Sequence, residues 1–389
     1  MKQLITNAII VNEGRQQKGS VLIVDEKIDE IFTNGELPQK ILSECQSIID
    51  AQKKYLLPGV IDAHVHFREP GLTHKGDIYS ESHAAVAGGV TSYMEMPNTV
   101  PQTTSQERLD EKFALAAQKS FANYSFYIGA TNDNINELLK IDFSKTCGIK
   151  LFMGSSTGNM LVNNKEALNE LFLLSPGLIA VHCEDDTIIK NNLEMFRKKY
   201  NDDIPFGSHA IIRSDESCYK SSSLALELAH KYNTRLHVLH VSTAREIKLF
   251  ENDKPLSQKR VTSEVCIHYL WFSYADYGWL GARIKCNPAI KYKTDKEQLF
   301  NALLDGTIDT VASDHAPHCL IEKQNNYLNA MSGCPLVQHS LLTMLEFFHN
   351  RSVSIEQVVE KMCHNPALLF GIKQPSELLT KLASIHASV

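Results

Sequence analysis

Apolar residues fall along the chain in short runs, most of them too brief for buried helices. Those at 4–11 and 20–24 are rich in Ile, Leu and Val and are separated by Gly14 and Gly19, which predicts strands of a small sheet. Residues 47–50 predict a third strand. Leu57-Pro58-Gly59 is a turn signal, and beyond it strand and helix patterns alternate. Strands are predicted at 60–67, 91–96, 124–130, 148–152, 178–182, 236–241, 260–265 and 310–313. Helical patterns occupy 106–118, 165–174, 187–200 and 221–232, and Gly88-Gly89 marks the end of an earlier helix. This alternation predicts an α/β fold, a (β/α)₈ TIM-like barrel over 58–371 behind a small β domain over 1–57. The rival is an open doubly wound sheet. Its nucleotide-binding form has no support, because no Gly-x-Gly-x-x-Gly follows an early strand and no Gly-Lys-Ser/Thr occurs.

Composition narrows this picture. A chain of 389 residues with 43% hydrophobic residues has room for a barrel and an appendage. Lys and Arg total 39 against 45 Asp and Glu, a formal charge of −6, which argues against nucleic acid as a partner. No run approaches the roughly 20 apolar residues of a membrane span, so no membrane partner is expected. The N-terminus has Asn7 and Asn12 within its apolar run and no small-residue cleavage site, so it reads as a strand and not a signal peptide. The nine cysteines are scattered without a Cys-x-x-Cys pair, which predicts reduced thiols and a cytoplasmic location. The longest loop-like stretches are 201–214 and 315–335, and the second follows the last barrel strand.

Candidate chemistry collects at strand ends. His64 and His66 are two apart, so a strand projects both imidazoles from one face. Such a pair suits a divalent metal such as zinc, or equally a pair of hydrogen bonds. Lys150, His182, His240 and Asp314 stand at or near the ends of four further strands. Barrel active sites lie at that C-terminal face, and five strands each delivering a ligand-type residue there is not a chance pattern. His237 and His240 are three apart and should face opposite ways, so only one enters the barrel mouth. His240, nearer the strand end, is the choice, and His237 reads as structural. His315 is out of phase with Asp314 and reads as a supporting group. Lysine has an ordinary pKa near 10.4 and cannot bind metal as a cation. Lys150 is therefore either paired with a carboxylate or carboxylated by carbon dioxide to a carbamate, whose two oxygens can bridge two metals.

His64-Val65-His66-Phe67-Arg68-Glu69-Pro70-Gly71 resembles the signature of the dihydroorotases in the amidohydrolase superfamily. Met96-Pro97-Asn98-Thr99 with Pro101 resembles their second motif, and Ala312-Ser313-Asp314-His315-Ala316-Pro317-His318 their third. The resemblance runs from about residue 1 to Gly371. It implies that His64, His66 and Asp314 bind one zinc, that His182 and His240 bind a second, and that a carboxylated Lys150 bridges them. A bridging hydroxide would complete a net positive site suited to an anionic substrate. The implied reaction is the reversible cyclisation of N-carbamoyl-L-aspartate to L-dihydroorotate in de novo pyrimidine biosynthesis, with Asp314 moving the proton. Arg68 leaves the strand end on the side of His66, and its planar fork suits a carboxylate. By resemblance, Asn98 and His318 join it, with Asn287 a weaker candidate for the ring. Glu264 is expected to hold a ligand histidine. Gly154-Ser155-Ser156-Thr157-Gly158 reads as a mobile lid or a plain flexible loop. Cys183, Cys266 and Cys319 read as ordinary thiols. Hydantoinases, dihydropyrimidinases and allantoinases would share the metal set, and a non-catalytic barrel scaffold is the rival from another class. A homodimer is a further expectation of the resemblance. The segment 372–389 carries no glycine and looks helical, where the resemblance implies strands that return to the first sheet. The C-terminal part of a β-sandwich is thus expected to be missing.

Overall fold

The computed structural model describes residues 1–25, 27–33, 37–154 and 160–372. Its N-terminal sheet contains β1 (Lys2–Asn12), β2 (Arg15–Val24), β3 (Lys27–Phe32), β4 (Ser47–Asp50) and β5 (Tyr55–Leu56). The order is β3-β2-β1-β4, with β5 also beside β1. β1 and β2 form an antiparallel hairpin, and its tight turn is made by Gly14 at φ 70°. Their register shifts between Ile5 and Ala8, where Asn7 takes a φ of 54°. This bulge lets Ile5 share one buried face with Ala8 and Ile10 despite their odd spacing, together with Val21, Ile23 and Leu56. The sequence pattern misses β3 because its residues are mostly exposed. The tail expected to look helical and to lack the returning strands falls, after Ile372, on residues 373–389, outside the described ones.

The barrel strands are β6 (Val60–Val65), β7 (Val90–Glu95), β8 (Asn123–Gly129), β9 (Gly148–Phe152), β10 (Ile179–His182), β11 (Leu236–Val238), β12 (Val261–Cys266) and β13 (Thr310–Ala312). Neighbours follow chain order and run parallel. The ring closes where Val65 bridges His315 and the His66 amide donates to the His315 carbonyl at 2.7 Å. Ile61, Ala63, Met94, Tyr127, Ala180 and Leu239 fill the interior. Val65, Phe126, Ile149, Val181, Val238 and Val311 face the helices. Burial on both faces explains why these strands read as continuous apolar runs. β9 is buried at every position, which makes Lys150 in its middle the exception that needs a reason.

Side-chain caps fix the helix starts. Asp77, Ser105, Asp185 and Ser214 accept amide hydrogens at the N-termini of Ile78–Ala87, Gln106–Lys119, Asp186–Tyr200 and Asp215–Tyr232. The last of these begins six residues before the apolar pattern does. Its first turns bury Ser217, Ser221 and Ser222, side chains small enough to pack closely but invisible to a hydrophobic count. The stretches 201–214 and 315–335 contain short helical pieces, Phe206–Ser208, His209–Ile212 and Leu320–Lys323. Among the described residues, no helix is long and apolar enough to cross a membrane.

Candidate active site

His64, His66, Arg68, Lys150, His182, His240, Asn287 and Asp314 all line one cleft at the C-terminal end of the barrel. Asn98 and His318 stand directly behind it, against His66 and Arg68. The β6 register shifts between Asp62 and Val65, so both histidines turn inward although Ile61 and Ala63 already do. Asp62 Oδ1 accepts from the amides of His64 and Ser313, both at 3.2 Å, and so ties the first strand to the last. Asp314 follows with a left-handed φ of 46°. Its Oδ1 lies 3.1 Å from both His64 Nε2 and His66 Nε2. Ligand atoms on a tetrahedral zinc sit about 3.3–3.5 Å apart, close to this spacing. Across the cleft, His182 Nδ1 faces His240 Nε2 at 2.8 Å.

The expected opposition of His237 and His240 does not hold. β11 ends at Val238, and His240 takes a left-handed φ of 42°. The alternation rule applies only to extended backbone. Both residues therefore enter the barrel at different depths. His240 reaches the mouth, whereas His237 lies below, with Nδ1 2.9 Å from Thr262 Oγ1 and Nε2 3.7 Å from Glu264 Oε2.

Further groups orient the imidazoles. Glu264 Oε1 accepts from His64 Nδ1 at 2.8 Å, which leaves Nε2 as the lone-pair atom beside Asp314. Asn98 Oδ1 accepts from His66 Nδ1 at 2.7 Å with the same result. Glu184 Oε2 is 3.1 Å from His182 Nε2. Glu184 is itself gripped by Arg213, whose Nε donates to both carboxylate oxygens at 3.0 and 3.1 Å. Glu184 and Arg213 are not readable as a pair, since they lie on either side of the helix Asp186–Tyr200 and the loop after it, and no periodicity links them. Their one signal is position, because Glu184 is two residues past a strand-end histidine. His315 is a supporting group: Nε2 meets Glu81 at 2.7 Å and Nδ1 accepts the Val337 amide.

Electrostatics match a donor set for cations. Burial pushes His66 down to about 4 and holds His182 and His240 well below the ordinary imidazole range, so all three are neutral and keep lone pairs. Asp314 is held well below the usual carboxylate range, its burial overcome by His64 and His66. His64 is pulled up to about 9 because Asp314 and Glu264 outweigh its burial. The two carboxylates thus demand a positive charge among the imidazoles, which a proton or a metal ion supplies. Among the described residues, ligand atoms of His64, His66 and Asp314 all lie within 4.8 Å of one another. Cys266 also lies near His64, but burial drives its thiol upward, so it stays protonated and a poor ligand. Lys150 has no ion pair or hydrogen bond among the described residues, and its Nζ lies 4.6 Å from the Phe152 ring centre. Burial pushes it down to about 8, which favours the neutral, nucleophilic amine.

One wall carries a buried cation. Arg68 is buried at a left-handed φ of 70°, its Nε donating to the Pro317 carbonyl at 3.1 Å. Its Nη2 lies 3.1 Å from His318 Nε2. Asn287 Oδ1 is buried without a hydrogen-bond partner among the described residues, and it lines the same cleft. Gly333 seals this wall at φ 145°, where an added Cβ would lie 2.5 Å from the Ala316 carbonyl and 3.1 Å from His318 Cδ2. Gly333→Ala is therefore expected to displace His318 and raise KM, with a melting temperature lower by a few degrees. Unchanged KM and melting temperature would show that the wall has slack.

The profile of the amidohydrolase family matches residues 55–381. The chain belongs to that family. Among this amidohydrolase's curated relatives, a dihydroorotase of Methanosarcina acetivorans is 33% identical over 95% of this chain and 78% of its own length. An allantoinase of Bacillus velezensis is 28% identical over 96% of this chain and 82% of its own. Among solved structures, the L-hydantoinase (dihydropyrimidinase) of Arthrobacter aurescens matches with a TM-score of 0.88 and 28% identity, covering 95% of this chain and 82% of that one. The amidohydrolase barrel expected from the sequence is thus the fold observed. The lid motif falls on residues 154–158, of which only Gly154 is described.

Proposed function

We propose that this amidohydrolase is a dihydroorotase, interconverting N-carbamoyl-L-aspartate and L-dihydroorotate for pyrimidine synthesis. The observation that carries the reading is Arg68 on the cleft wall, with His318 directly behind it, beside the imidazole–carboxylate cluster. It supports a ring substrate bearing its own carboxylate. The dihydroorotase relatives point the same way. The donor set fits two zinc ions: His64, His66 and Asp314 would hold one, His182 and His240 the other, with a carboxylated Lys150 shared between them. Bound zinc supplies a nucleophile at neutral pH and polarises the ring carbonyl.

This chain's residues do the rest. Arg68 and His318 grip the substrate carboxylate and set the ring's orientation. Asn287 Oδ1 accepts from a ring N–H. Asp314, ionised in the free site, takes the proton of the attacking water and hands it to the leaving ring nitrogen. Ring closure runs through the same positions in reverse.

The likeness to an L-hydantoinase and an allantoinase favours a second reading, in which the substrate ring lacks a carboxylate. Turnover of dihydroorotate, hydantoin, dihydrouracil and allantoin by the zinc-loaded protein separates the two. Opening of hydantoin with no turnover of dihydroorotate would refute the proposal, and absence of any turnover with intact metal binding would point to a scaffold. Arg68→Met is expected to raise KM for dihydroorotate by about 10²-fold, because a buried bidentate charge pair is lost, with a smaller change in kcat. An equal loss on dihydroorotate and on dihydrouracil would remove Arg68 from carboxylate recognition.

A further inference from the structure

No motif or periodicity marks Lys75, yet its side chain is nearly buried beside Arg68 and His318. Its Nζ lies 3.2 Å from His318 Nδ1 and 2.9 Å from Glu322 Oε1. Glu322 Oε2 also accepts the Cys319 amide at 2.9 Å, so one carboxylate anchors both the lysine and the loop that carries His318. His318 Nε2 lies 3.0 Å from the Ser332 carbonyl and 3.1 Å from Arg68 Nη2.

These contacts cannot all be hydrogen bonds of one neutral imidazole. An ammonium has donors and no acceptor, so Lys75 can only give a proton to a bare Nδ1. The single ring proton then sits on Nε2, where it meets the Ser332 carbonyl. In that tautomer, Arg68 Nη2 and His318 Nε2 are donor against donor. The opposite tautomer would satisfy Arg68 alone, and it would set Nδ1–H against the ammonium and Nε2 against a carbonyl oxygen. Two contacts against one select Nε2–H. Arg68 Nη2 and His318 Nε2–H are then two neighbouring donors, and an incoming carboxylate can accept from both with its two oxygens by sharing the Nε2 proton with the Ser332 carbonyl or replacing it there.

The geometry points to Lys75 as a positioning residue for carboxylate recognition: by donating to His318 Nδ1 it fixes His318 as a donor and leaves the Arg68 fork aimed at an incoming carboxylate. This deepens the dihydroorotase reading and rests on it for the identity of the ring. Lys75 touches no reacting atom. Its effect belongs in KM for carboxylated rings.

The test compares Lys75→Met, which keeps the stem and loses the donor, with Lys75→Arg, which keeps donor and charge, in the zinc-loaded full chain. Lys75→Met is expected to raise KM for dihydroorotate by about 10- to 100-fold, with kcat within about threefold and zinc content unchanged. Lys75→Arg is expected to recover most of the loss. Nitrogen-15 spectra of histidine-labelled wild type, with the His318 signals identified by their loss in His318→Asn, should show the proton on Nε2. A wild-type proton on Nδ1 overturns the inference, as does an unchanged KM in a folded Lys75→Met or the same loss in both variants. Should Lys75→Met fail to fold, the ring-nitrogen signals still decide. Should the wild type open no dihydroorotate, the functional reading fails while those signals decide the tautomer.

Discussion

Asp314→Asn is expected to lower the opening of dihydroorotate by about 10³- to 10⁴-fold. The substitution keeps shape and removes the anion. One oxygen, Oδ1, lies 3.1 Å from two imidazole nitrogens, so this carboxylate closes the first ligand cluster. Among the described residues lining the cleft, it is also the one held ionised and placed to accept a proton. An amide oxygen binds zinc more weakly and has no basicity at neutral pH, so both roles fail together. The direction with pH follows. Opening needs Asp314 as the carboxylate and is lost as pH falls; closure needs it protonated and gains as pH falls. Steady-state rates in both directions, measured with bound zinc counted on the same samples, check this. A variant that keeps its zinc and more than a tenth of wild-type turnover, or closure that strengthens as pH rises, would take the proton away from Asp314.

The barrel was legible because its strands are buried on both faces and therefore announce themselves as apolar runs. His64, His66, His182 and Asp314 stood out by a simple rule, polar groups at the ends of such runs; Lys150 was named by it too, although β9 runs on to Phe152. His240 was named by the same rule, but its direction was not readable. A single left-handed φ brings it to the mouth, and no periodicity encodes that. Glu184 with Arg213, and Lys75 with Glu322, were illegible for another reason. Each pair joins loops far apart in the chain, and an isolated charged residue in a polar loop looks like any solvated one. Asn98 shows a third case. The motif marks it for the substrate, yet in the structure its carbonyl oxygen faces the far nitrogen of His66, so losing it would disturb a candidate ligand as well as the Arg68 wall. β3 was missed because a mostly exposed strand has little apolar signal to give.

Lys150→Ala is expected to cost about 10³-fold or more in turnover and to reduce the tightly bound zinc from two ions towards one. Lys150 is enclosed in β9, without an ion pair among the described residues, a placement that penalises an ammonium and holds its pKa at about 8. An ordinary lysine titrates near 10.4, so it is almost wholly charged where Lys150 is partly neutral. The neutral Nζ can attack the carbon of carbon dioxide. A C–N bond forms, one C=O electron pair moves onto oxygen, and the nitrogen's proton leaves to solvent. The product is an anion with two oxygens in the cleft that His64, His182, His240 and Asp314 also line. The sign with pH is fixed, because a lowered folded-state pKa makes the amine available at lower pH than usual, yet still more so as pH rises. Metal-stripped protein reloaded with zinc and bicarbonate should therefore regain activity faster at about pH 8.5 than at about pH 6, and slowly at either pH when carbon dioxide is excluded. In Lys150→Ala, acetate or propionate should restore part of the second zinc and part of the turnover by occupying the vacated space. Lys150→Arg cannot be carboxylated in this way and should not respond. Wild-type protein that reloads equally well without carbon dioxide, or a Lys150→Ala variant that keeps both zincs unaided, would leave the buried amine with some other purpose.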